Sequence, residues 1–406
     1  MRLNSCPKRY NYETQRAVPP EETLARVEDL LPRAGITRVA DITGLDRIGI
    51  PVFSSIRPTA RAGAITVYNG KGATPTEAKV SAMMEGIERC SAEFREEDNL
   101  LVADYPGFLK VGEPALDPQD LILPKDADPS LQIPWVTGYD LSNDREVMVP
   151  AHAVYHPLPR LFAPLFRTNT NGLASGNTVE EAIFHGLMEV IERDAWSLAE
   201  VTRYTGPRLV NISDPIGNGL MQKFRDAGVE VGLKDLTSDI AVPTFAAVSD
   251  DTLLKDPALL TIGIGTHTNP GVTLLRALTE VAQSRLTQIH GAREDTNVAD
   301  FRKKIGYERT KRMNKYWFES ESEVDFTGIG SKDTDDFRDD ILAVIGLLKK
   351  AGLDRVIVAD LTRPELGVPV VRVIVPGLEV YAMDQERIGA RCNAARDRRL
   401  SRSKSR

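Results

Sequence analysis

The sequence predicts an α/β protein of mixed α+β layers, in which helices pack on mixed sheets. Three observations lead to this fold class: helical apolar spacing alternates with runs of β-branched residues, turn-forming residues are spread along the chain, and two kinds of segment are repeated. The 406 residues include 30 Gly and 25 Pro, without a Ser/Gly-rich linker. We therefore expect one integrated body.

The composition excludes several classes of protein. Three cysteines without a CxxC pair argue against a disulfide scaffold, a structural zinc module and an iron–sulfur protein. The N-terminal residues lack the apolar region of a secretory signal, and the longest apolar stretches are far shorter than the roughly 20 residues that span a bilayer. We expect a soluble cytoplasmic protein without a membrane segment.

The net charge of −7 is unevenly distributed. From residue 391 to residue 406 there are seven Lys/Arg and one Asp, a charge of +6, so residues 1–390 carry −13. A Ser/Arg-rich segment with few apolar residues cannot offset its ordering entropy, and we predict a flexible basic tail. The acidic body is not that of a nucleic-acid-binding protein.

Two segments of the chain are close copies of each other. Residues 72–89 read GATPTEAKVSAMMEGIER and residues 176–193 read GNTVEEAIFHGLMEVIER, with nine of eighteen positions identical. Each has helical apolar spacing, and the Thr at its third position, followed by Glu three residues later, is typical of a capping box. Residues 275–285, LRALTEVAQSR, have the same shape. We predict three related helices.

A fainter repeat links two other regions. A helix around residues 220–226 is followed by AGVEVGLKDLTSDIAVPTFAAVSD, and a helix around residues 336–350 by AGLDRVIVADLTRPELGVPVVRVIVPG. Each reads helix, Gly stop, strand, loop and second strand, because Gly favours a helix C-terminus and β-branched runs favour strands. The chain therefore contains internally repeated helix–strand units.

The three related helices each predict a stripe of functional side chains, because residues three and four apart share one face. Clustered carboxylates raise each other's pKa values, and a divalent cation offsets that cost. Oxygen ligands without Cys favour Mg²⁺, which usually also holds substrate phosphates. The stripes are Glu77, Ser81, Glu85 and Glu88; Glu181, His185, Glu189 and Glu192; and Arg276, Glu280 and Gln283.

These Glu residues allow two other interpretations. A single E-x-x-E-R string is typical of an exposed helix whose Glu side chains pair with Arg89 or Arg193, but two close copies and a related third favour a functional site. A di-iron bundle requires E-x-x-H on two helices, and none of the five His residues follows a Glu at that spacing. A Mg²⁺–nucleotide site is the preferred hypothesis.

Loops before the predicted helices are candidate phosphate contacts. Residues 171–177, NGLASGN, open into the second helix, Lys71 precedes the first, and residues 263–270, GIGTHTNP, precede the third. A helix N-terminus offers free N–H groups to an anion. None of these loops is a Walker A or GxGxxG string, and spacing alone assigns no role to His267 or Arg16.

Six strings of the chain match a known family: TQRAVPPEETL, GIPVFSSIRP, GKGATPTEAKVSAMMEGIER, NTNGLASGNTVEEAIFHGLMEVIERDA, GIGTHTNPGVTLLRALTEVAQSR and PVVRVIVPGLE. By these strings the chain resembles the YcaO-domain family from about Arg16 to Glu379, and its ending is similar to the methanogen members. The resemblance implies the YcaO fold. It also implies an N-terminal segment at 1–60 that contributes to the nucleotide site, and a catalytic domain at 61–385, followed by the tail at 386–406.

The resemblance implies ATP and Mg²⁺ as cofactors and assigns residues to them. The metal positions are Glu85, Glu88, Glu189, Glu192 and Glu280. The nucleotide positions are Arg16, Thr23, Ser81, Ala174, Ser175, Gly176, Asn177, Thr178, Glu181 and Arg276. The positions implied to be catalytic are Glu189, Glu192, Glu280 and Arg276.

The family's chemistry implies a function. Its enzymes transfer the γ-phosphoryl group of ATP to a backbone amide oxygen, which turns a poor leaving group into a good one. In azoline-forming members a neighbouring Cys or Ser attacks, and the chain typically ends in PxPxP, whereas this chain ends RRLSRSKSR. Methanogen-type members are associated with thioamide formation on a glycine of methyl-coenzyme M reductase.

We therefore expect ATP-dependent thioamidation, with thioglycine as the product. The implied partners are the alpha subunit of methyl-coenzyme M reductase as substrate, a sulfide source and a TfuA-type protein, and a homodimer is possible. The alternatives are an azoline-forming cyclodehydratase and a non-catalytic regulator or docking subunit that binds nucleotide. We expect Cys6 and Cys392 to lie near flexible ends and Cys90 to point away from the first stripe, so no cysteine is expected to carry sulfur.

Overall fold

This computed structural model describes residues 1–159, 161–294 and 297–404, and these contain eleven α-helices and sixteen strands. Within those ranges, no helix combines the length and apolar character needed to cross a membrane. The helices are α1 (Pro20–Val27), α2 (Pro75–Ala92), α3 (Tyr105–Val111), α4 (Val179–Thr202), α5 (Pro215–Asp226), α6 (Pro270–His290), α7 (Asn297–Ile305), α8 (Tyr307–Met313), α9 (Lys315–Phe318), α10 (Phe337–Lys350) and α11 (Ala390–Lys404).

The strands form three larger sheets and one two-stranded ribbon. They are β1 (Tyr10–Asn11), β2 (Gln15–Arg16), β3 (Arg38–Asp41), β4 (Val52–Ile56), β5 (Val67–Lys71), β6 (Leu101–Ala103), β7 (Ile133–Asp140), β8 (Arg145–Pro150), β9 (Leu173–Ser175), β10 (Arg208–Val210), β11 (Glu230–Asp235), β12 (Thr244–Asp250), β13 (Ile262–Thr266), β14 (Glu323–Asp325), β15 (Ile357–Asp360) and β16 (Val370–Ile374).

The predicted mixed α/β fold is confirmed. One sheet has the order β3-β4-β5, a second β6-β7-β15-β16-β9 with β8 also on β7, and a third β13-β12-β11-β10-β14. Among the strands of the described ranges, β10 and β14 pair in parallel and the other named pairs are antiparallel. The third sheet is therefore mixed, and the other two are antiparallel.

Both predicted repeats are present. Hairpin β11–β12 follows α5 and hairpin β15–β16 follows α10. Each of the three related helices directly follows an edge strand of a different sheet: β5 leads into α2, β9 into α4 and β13 into α6. Each helix also packs on the edge strand of the next unit, α2 on β9, α4 on β13 and α6 on β5. The three units therefore close into a ring with the helices at its centre.

The starts of these helices follow from their sequences. Thr74 caps α2, accepting from the backbone N of Glu77 at 3.3 Å, and the Glu77 carboxylate accepts in return from the N of Thr74 at 3.3 Å. Thr178 caps α4 by accepting from the N of Glu181 at 3.1 Å. Asn269 caps α6. Each cap satisfies an N–H group that has no partner within its helix.

Glycines in two of the edge strands bring the helix backbones close. A Cβ added at Gly70 in β5 would lie 1.9 Å from the N of Ala82 in α2, and one at Gly263 in β13 would lie 2.2 Å from the N of Val281 in α6. A side chain at either position would push the helix off its strand, so the small residue sets the approach.

Separate apolar clusters support the three sheets. α4 and α10 pack on one face of the six-stranded sheet, α5 and α6 pack on the five-stranded sheet, and α1 and α2 enclose a smaller cluster. The apolar faces of α2, α4 and α6 thus hold them against the sheets, which leaves their polar faces toward the centre of the ring.

The C-terminal segment corrects one expectation. Instead of a flexible tail, residues 390–404 form α11, which packs on α4. Cys392 is fully buried, and Arg391 forms an ion pair with Asp194 at 2.9 Å. The prediction was wrong because the acidic partner of Arg391 lies 197 residues away in the sequence. Residues 405 and 406 lie outside the described residues.

Candidate functional site

A cleft of about 1700 Å³ lies where α2, α4 and α6 meet. All three predicted stripes face it, with Glu85 and Glu88 from α2, Glu189 and Glu192 from α4, and Glu280 from α6. The ring of units brings these residues together although up to 195 positions separate them in the sequence, from Glu85 to Glu280. Five carboxylates from three helices therefore share one cavity.

In α2, the two carboxylates have different partners. Glu85 pairs with Arg89 at 3.1 Å, whereas Glu88 accepts hydrogen bonds from the backbone N and the hydroxyl of Ser175 in β9, at 3.0 and 3.2 Å. Burial, together with the charges of Glu189 and Glu85, raises the pKa of Glu88 to about 8 against the opposing effect of Arg89.

In α4, Glu192 is the more deeply buried carboxylate. Its side chain is 2% exposed, and its Oε2 atom has no hydrogen-bond partner among the described residues. Burial and the neighbouring charge of Glu280 raise the pKa of Glu192 to about 7, although Arg193 and Arg276 oppose the rise. Glu189 lies 4.0 Å from Arg193. The carboxyl group of Glu192 therefore carries an unfavourable charge when ionised.

In α6, the single acidic residue is held ionised by bases. Burial by itself would raise the pKa of Glu280, but Lys71, Arg193 and Arg276 together keep it below its usual value. Lys71, at the end of β5, bonds directly to the Glu280 carboxylate. Glu280 and Glu192 are thus a coupled pair in which Glu280 is the ionised member.

The N-terminal segment reaches one end of the cleft. Arg16 bonds to the ring of His185 and lies 3.7 Å from Glu181, and the backbone N of Ala17 donates to Glu181 at 3.1 Å. Thr23 donates its hydroxyl to the side chain of Asn177 at 3.0 Å. The spacing argument could not place Arg16, but the fold brings it beside the loop that precedes α4.

Burial lowers the pKa of His185 well below its usual range, and the positive charges of Arg16 and Arg276 lower it further. The imidazole is therefore neutral at physiological pH. This end of the cleft carries Arg16, Thr23, Asn177 and Glu181, a polar set that offers hydrogen-bond donors and acceptors to a nucleotide.

Two residues of the predicted nucleotide loop do not line the cleft. Gly176 is packed against α4, where an added Cβ would lie 2.6 Å from the N of Ala182. Thr178 is occupied as the helix cap and lies 3.2 Å from the Sγ of Cys6. The other residues predicted for the site line the cavity, namely Arg16, Thr23, Ser81, Glu85, Glu88, Ala174, Ser175, Asn177, Glu181, Glu189, Glu192, Arg276 and Glu280.

The donor set fits Mg²⁺. Its ligands would be hard carboxylate oxygens, and the orphaned Oε2 of Glu192 and the raised pKa values of Glu88 and Glu192 mark a place where a cation lowers the electrostatic cost. Within the described ranges, no three acidic, His or Cys side chains are arranged to hold an ion by themselves.

The sequence reasoning missed a second part of the cleft. Beyond the carboxylates, the cavity is lined by Trp196 and Glu200 of α4, by Trp317 and Phe318 of α9, and by Met383. Trp196 and Glu200 continue the stripe of α4 at intervals of four residues from Glu192, a signal that could have identified them. Nothing in the local pattern indicates α9 or Met383.

Comparison with known proteins identifies the family. Residues 69–379 match the family model described as YcaO cyclodehydratase, ATP- and Mg²⁺-binding. The chain is 54% identical to an uncharacterized protein of Methanothermobacter thermautotrophicus, over 93% of this chain and 99% of that protein. It is 33% identical to a protein of Rhizobium leguminosarum bv. trifolii described as lying in the tfuA 3′ region, over 90% of this chain and 89% of that protein.

A solved structure agrees. YcaO from Methanopyrus kandleri, bound with AMPPCP and Mg²⁺, superimposes with a TM-score of 0.80 and 31% identity, covering 95% of this chain and 98% of that one. The family's cofactors are ATP and Mg²⁺, as expected from the sequence. The chain belongs to the YcaO family of ATP- and Mg²⁺-binding cyclodehydratases.

Proposed function

We propose that this protein activates a backbone amide of a peptide with ATP and Mg²⁺, and that sulfide then replaces the amide oxygen to give a thioamide. The proposed product is thioglycine in the alpha subunit of methyl-coenzyme M reductase. The observation that carries the proposal is the convergence of five carboxylates from α2, α4 and α6 on one cleft that also holds Arg276 and Lys71.

The chain's own residues suit phosphoryl transfer. Bound ATP supplies the phosphoryl group, and Mg²⁺ offsets its charge. We assign Glu85, Glu88, Glu189, Glu192 and Glu280 to the metal ions. Arg276, whose Nε has no hydrogen-bond partner among the described residues, is assigned to the phosphates. Arg16, Thr23, Ser81, Asn177 and Glu181 are assigned to the nucleotide, with the backbone of residues 174–178 beside it. Such a reaction depends on position and charge more than on a general base.

The cysteines of this chain support a sulfur donor outside it. Cys6, Cys90 and Cys392 all lie in the described part of the chain, and all are buried and unpaired. None of the three lines the cleft. The burial of Cys6 and Cys392 corrects the expectation that they lie near flexible ends. A sulfur donor outside the chain fits this arrangement, and the relative beside tfuA supports a TfuA-type partner.

Azoline formation is the second candidate, because the matched family model is described as a cyclodehydratase. That reaction would use the same phosphorylated amide but a Cys or Ser of the substrate as nucleophile. A purely nucleotide-binding role is less well supported, since all five acidic positions are present and face the cleft. The proposal includes an N-terminal segment at residues 1–60 that contributes to the nucleotide site, a catalytic domain at residues 61–385, and a homodimer as one possible assembly.

Mass spectrometry of a reductase peptide separates the candidates. The purified protein is incubated with ATP, Mg²⁺, sulfide and a glycine-containing peptide of methyl-coenzyme M reductase, with and without a TfuA-type protein. Thioamidation adds the mass difference between sulfur and oxygen, and ADP and phosphate accumulate. Loss of one water from the peptide would favour the azoline reaction. Nucleotide binding without peptide modification in either arm would favour the non-catalytic role.

A variant without cysteines tests the origin of the sulfur. We expect the triple variant Cys6→Ala, Cys90→Ala and Cys392→Ala to give the same mass gain as the wild type under these conditions. Loss of the mass gain with nucleotide binding retained would instead show that a thiol of this chain takes part in the reaction.

A further inference from the structure

The half of the cleft beyond the carboxylates has a different chemistry from the nucleotide half. One face of α4 runs through both: Glu181 and His185 lie at the polar end, Glu192 lies in the middle, and Trp196 and Glu200 lie at the far end. Trp317, Phe318 and Met383 complete this far end, which we call the aromatic lobe. The far end therefore adds aromatic and thioether surface to a cleft whose other end carries mainly charged and polar groups.

The polar edges of the lobe are already satisfied. Glu200 accepts hydrogen bonds from the indole N–H groups of Trp196 at 3.0 Å and Trp317 at 3.3 Å, and from the hydroxyl of Tyr316 at 2.6 Å. Since one carboxylate takes up all three donors, the rings have only carbon surface left to offer to a ligand. A polar ligand would lose its water here without gaining a hydrogen bond from these rings.

The charges around the lobe argue against a cationic ligand. The guanidinium group of Arg193 lies 5.4 Å from the centre of the Trp196 ring, so one face of this ring already holds a cation. Arg302, which also lines the cleft, is close enough to Glu200 for their charges to attract. A Lys or Arg side chain would meet these two positive groups, and Glu200 is already engaged by Arg302 and by three hydrogen-bond donors. An apolar or aromatic side chain needs no ion partner here.

The size of the cavity leaves room for a second ligand. Its volume of about 1700 Å³ exceeds the roughly 300–1,000 Å³ that one small-molecule ligand occupies. Trp196 lies four residues after Glu192, which is about 6 Å along the helix. Residues of an extended peptide advance by about 3.3 Å each, so a side chain about two residues from an amide at the carboxylates falls at the lobe.

From this arrangement we propose that the aromatic lobe binds a large apolar or aromatic side chain of the substrate peptide, about two residues from the amide that reacts. Its anchors are Trp196, Trp317 and Phe318, with Met383, which is 38% exposed, at the outer edge. The inference rests on the proposed peptide substrate. It adds a preference of the enzyme for an apolar or aromatic side chain near the reacting glycine.

Peptide binding tests this selectivity directly. The probes are seven-residue peptides with a central Gly in a Ser background, with one Phe, Leu, Ala or Lys placed in turn at each flanking position. Intrinsic fluorescence reports occupancy, because two of the three tryptophans lie in the lobe and Trp135 is fully buried elsewhere. With Mg²⁺ and a non-hydrolysable ATP analogue present, we expect Phe to bind at least about tenfold tighter than Ala at one position about two residues from Gly.

Variants connect the preference to the lobe. Trp196→Ala should reduce the Phe-to-Ala ratio to near one, while Trp196→Phe should keep most of it, since the indole N–H is committed to Glu200 rather than to a ligand. The matched control is Leu253→Ala, an apolar residue that is 70% exposed and lies outside the cleft, and it should leave the ratio unchanged. Circular dichroism checks that each variant is folded.

The outcomes separate this inference from the proposed function. Equal binding of the Phe and Ala peptides, or preference for Lys, overturns the inference even if the reductase peptide gains sulfur. A Phe-to-Ala binding ratio in Trp196→Ala that equals the wild-type ratio also overturns the inference, because another surface must then select the side chain. If none of the peptides binds and the reductase peptide is unmodified, both proposals fail together.

Discussion

Helices α2 and α4 carry the same Glu-x-x-Glu-Arg ending, but the protein stabilises their last carboxylates differently. Glu88 in α2 accepts two hydrogen bonds from Ser175, whereas the equivalent Glu192 in α4 keeps one oxygen without a partner and faces Glu280. The repeated sequence therefore directs both carboxylates into the cleft. Neighbours that are not repeated, Ser175 and Glu280, decide how much a bound cation would stabilise each carboxylate.

The two copies also differ directly after the shared Arg. The next residue is Cys90 in α2 and Asp194 in α4. Cys90 packs in an apolar cluster, but Asp194 is fully buried and pairs with Arg391 of α11. Helix α4, in which Glu192 lacks a hydrogen-bond partner, is thus also the helix that α11 holds in place. On α4, Asp194 serves stability and Glu192 is available to a ligand.

The largest expected effect is on stability. Arg391→Ala leaves the Asp194 carboxylate buried without its cation, and we expect the free energy of unfolding to fall by about 3–5 kcal/mol. Urea unfolding measures the change. Arg396→Ala, an exposed residue of the same helix, should change it by less than about 0.5 kcal/mol. Equal effects of the two variants would mean that α11 does not hold α4 through this pair.

The second prediction concerns activity. We expect Glu192→Gln to lower the rate of ATP hydrolysis by about 100-fold or more, because the amide cannot replace a charged metal ligand. Glu88→Gln should lose less, since Ser175 can still donate to the amide oxygen. A coupled phosphate assay measures both, and the exposed Glu308→Gln is the control. A larger loss in Glu88→Gln would contradict the comparison of the two helices.

The third prediction concerns pH. In the folded protein the pKa values of Glu88 and Glu192 are raised to about 8 and about 7, so without metal both carboxyl groups keep protons that the unfolded chain has released. Their contribution to stability is present below the usual pKa and is lost as pH rises through 7 and 8. Relative to the wild type, a double Gln variant should gain about 3–4 kcal/mol between pH 6 and pH 8.

Urea unfolding in EDTA without nucleotide measures the difference in free energy of unfolding between the wild type and the double variant. The other titrating groups contribute equally to both proteins, so their effects cancel in this difference. Saturating Mg²⁺ and nucleotide should reduce the pH dependence of the wild type. A constant difference between wild type and variant across this range would show that both carboxylates are ionised without metal.

The fourth prediction compares equivalent positions on the two helices, His185 and Ser81. His185→Ser removes the contact that holds Arg16, and we expect the KM for ATP to rise by about tenfold with a smaller change in kcat. Ser81→Ala loses only a long hydrogen bond of 3.4 Å from the N of Lys71 and should change KM less. A larger effect at Ser81 would assign the nucleotide mainly to α2.

The smallest expected effects are at the helix caps. Thr74→Ala and Thr178→Ala should each reduce the free energy of unfolding by about 1 kcal/mol, because one backbone N–H loses its acceptor in each. Thr→Ser at each position is the control and should lose less. Thermal unfolding measures these changes. No loss at Thr178 would mean that its hydroxyl is not a useful cap.

The sequence predicted the parts of this structure that depend on local spacing. The caps at Thr74 and Thr178, the three stripes and the two hairpins follow from patterns within about twenty residues. The ring that brings Glu88, Glu192 and Glu280 together depends on contacts between distant units. Arg16 was placed by resemblance and not by spacing for the same reason.

The two main differences from expectation have one physical cause. α11 was predicted to be a flexible tail because its few apolar residues could not offset the ordering entropy, but Asp194 pairs with Arg391 in the folded chain and Cys392 is buried. The α4 stripe could have identified Trp196 and Glu200, but Trp317 was missed because it meets Glu200 across 117 residues of sequence. In both cases a polar group is matched by long-range contacts that local patterns do not encode.

The ring of three units has a mechanical consequence. In the described part of the chain, no strand pairing joins one of the three larger sheets to another, so side-chain contacts at the cleft link them. Glu88 of α2 bonds to the N of Ser175 in β9, and Glu280 of α6 bonds to Lys71 at the end of β5. A ligand held by α2, α4 and α6 would act as a cross-link, and amide hydrogen exchange at these two edge strands should slow when it binds.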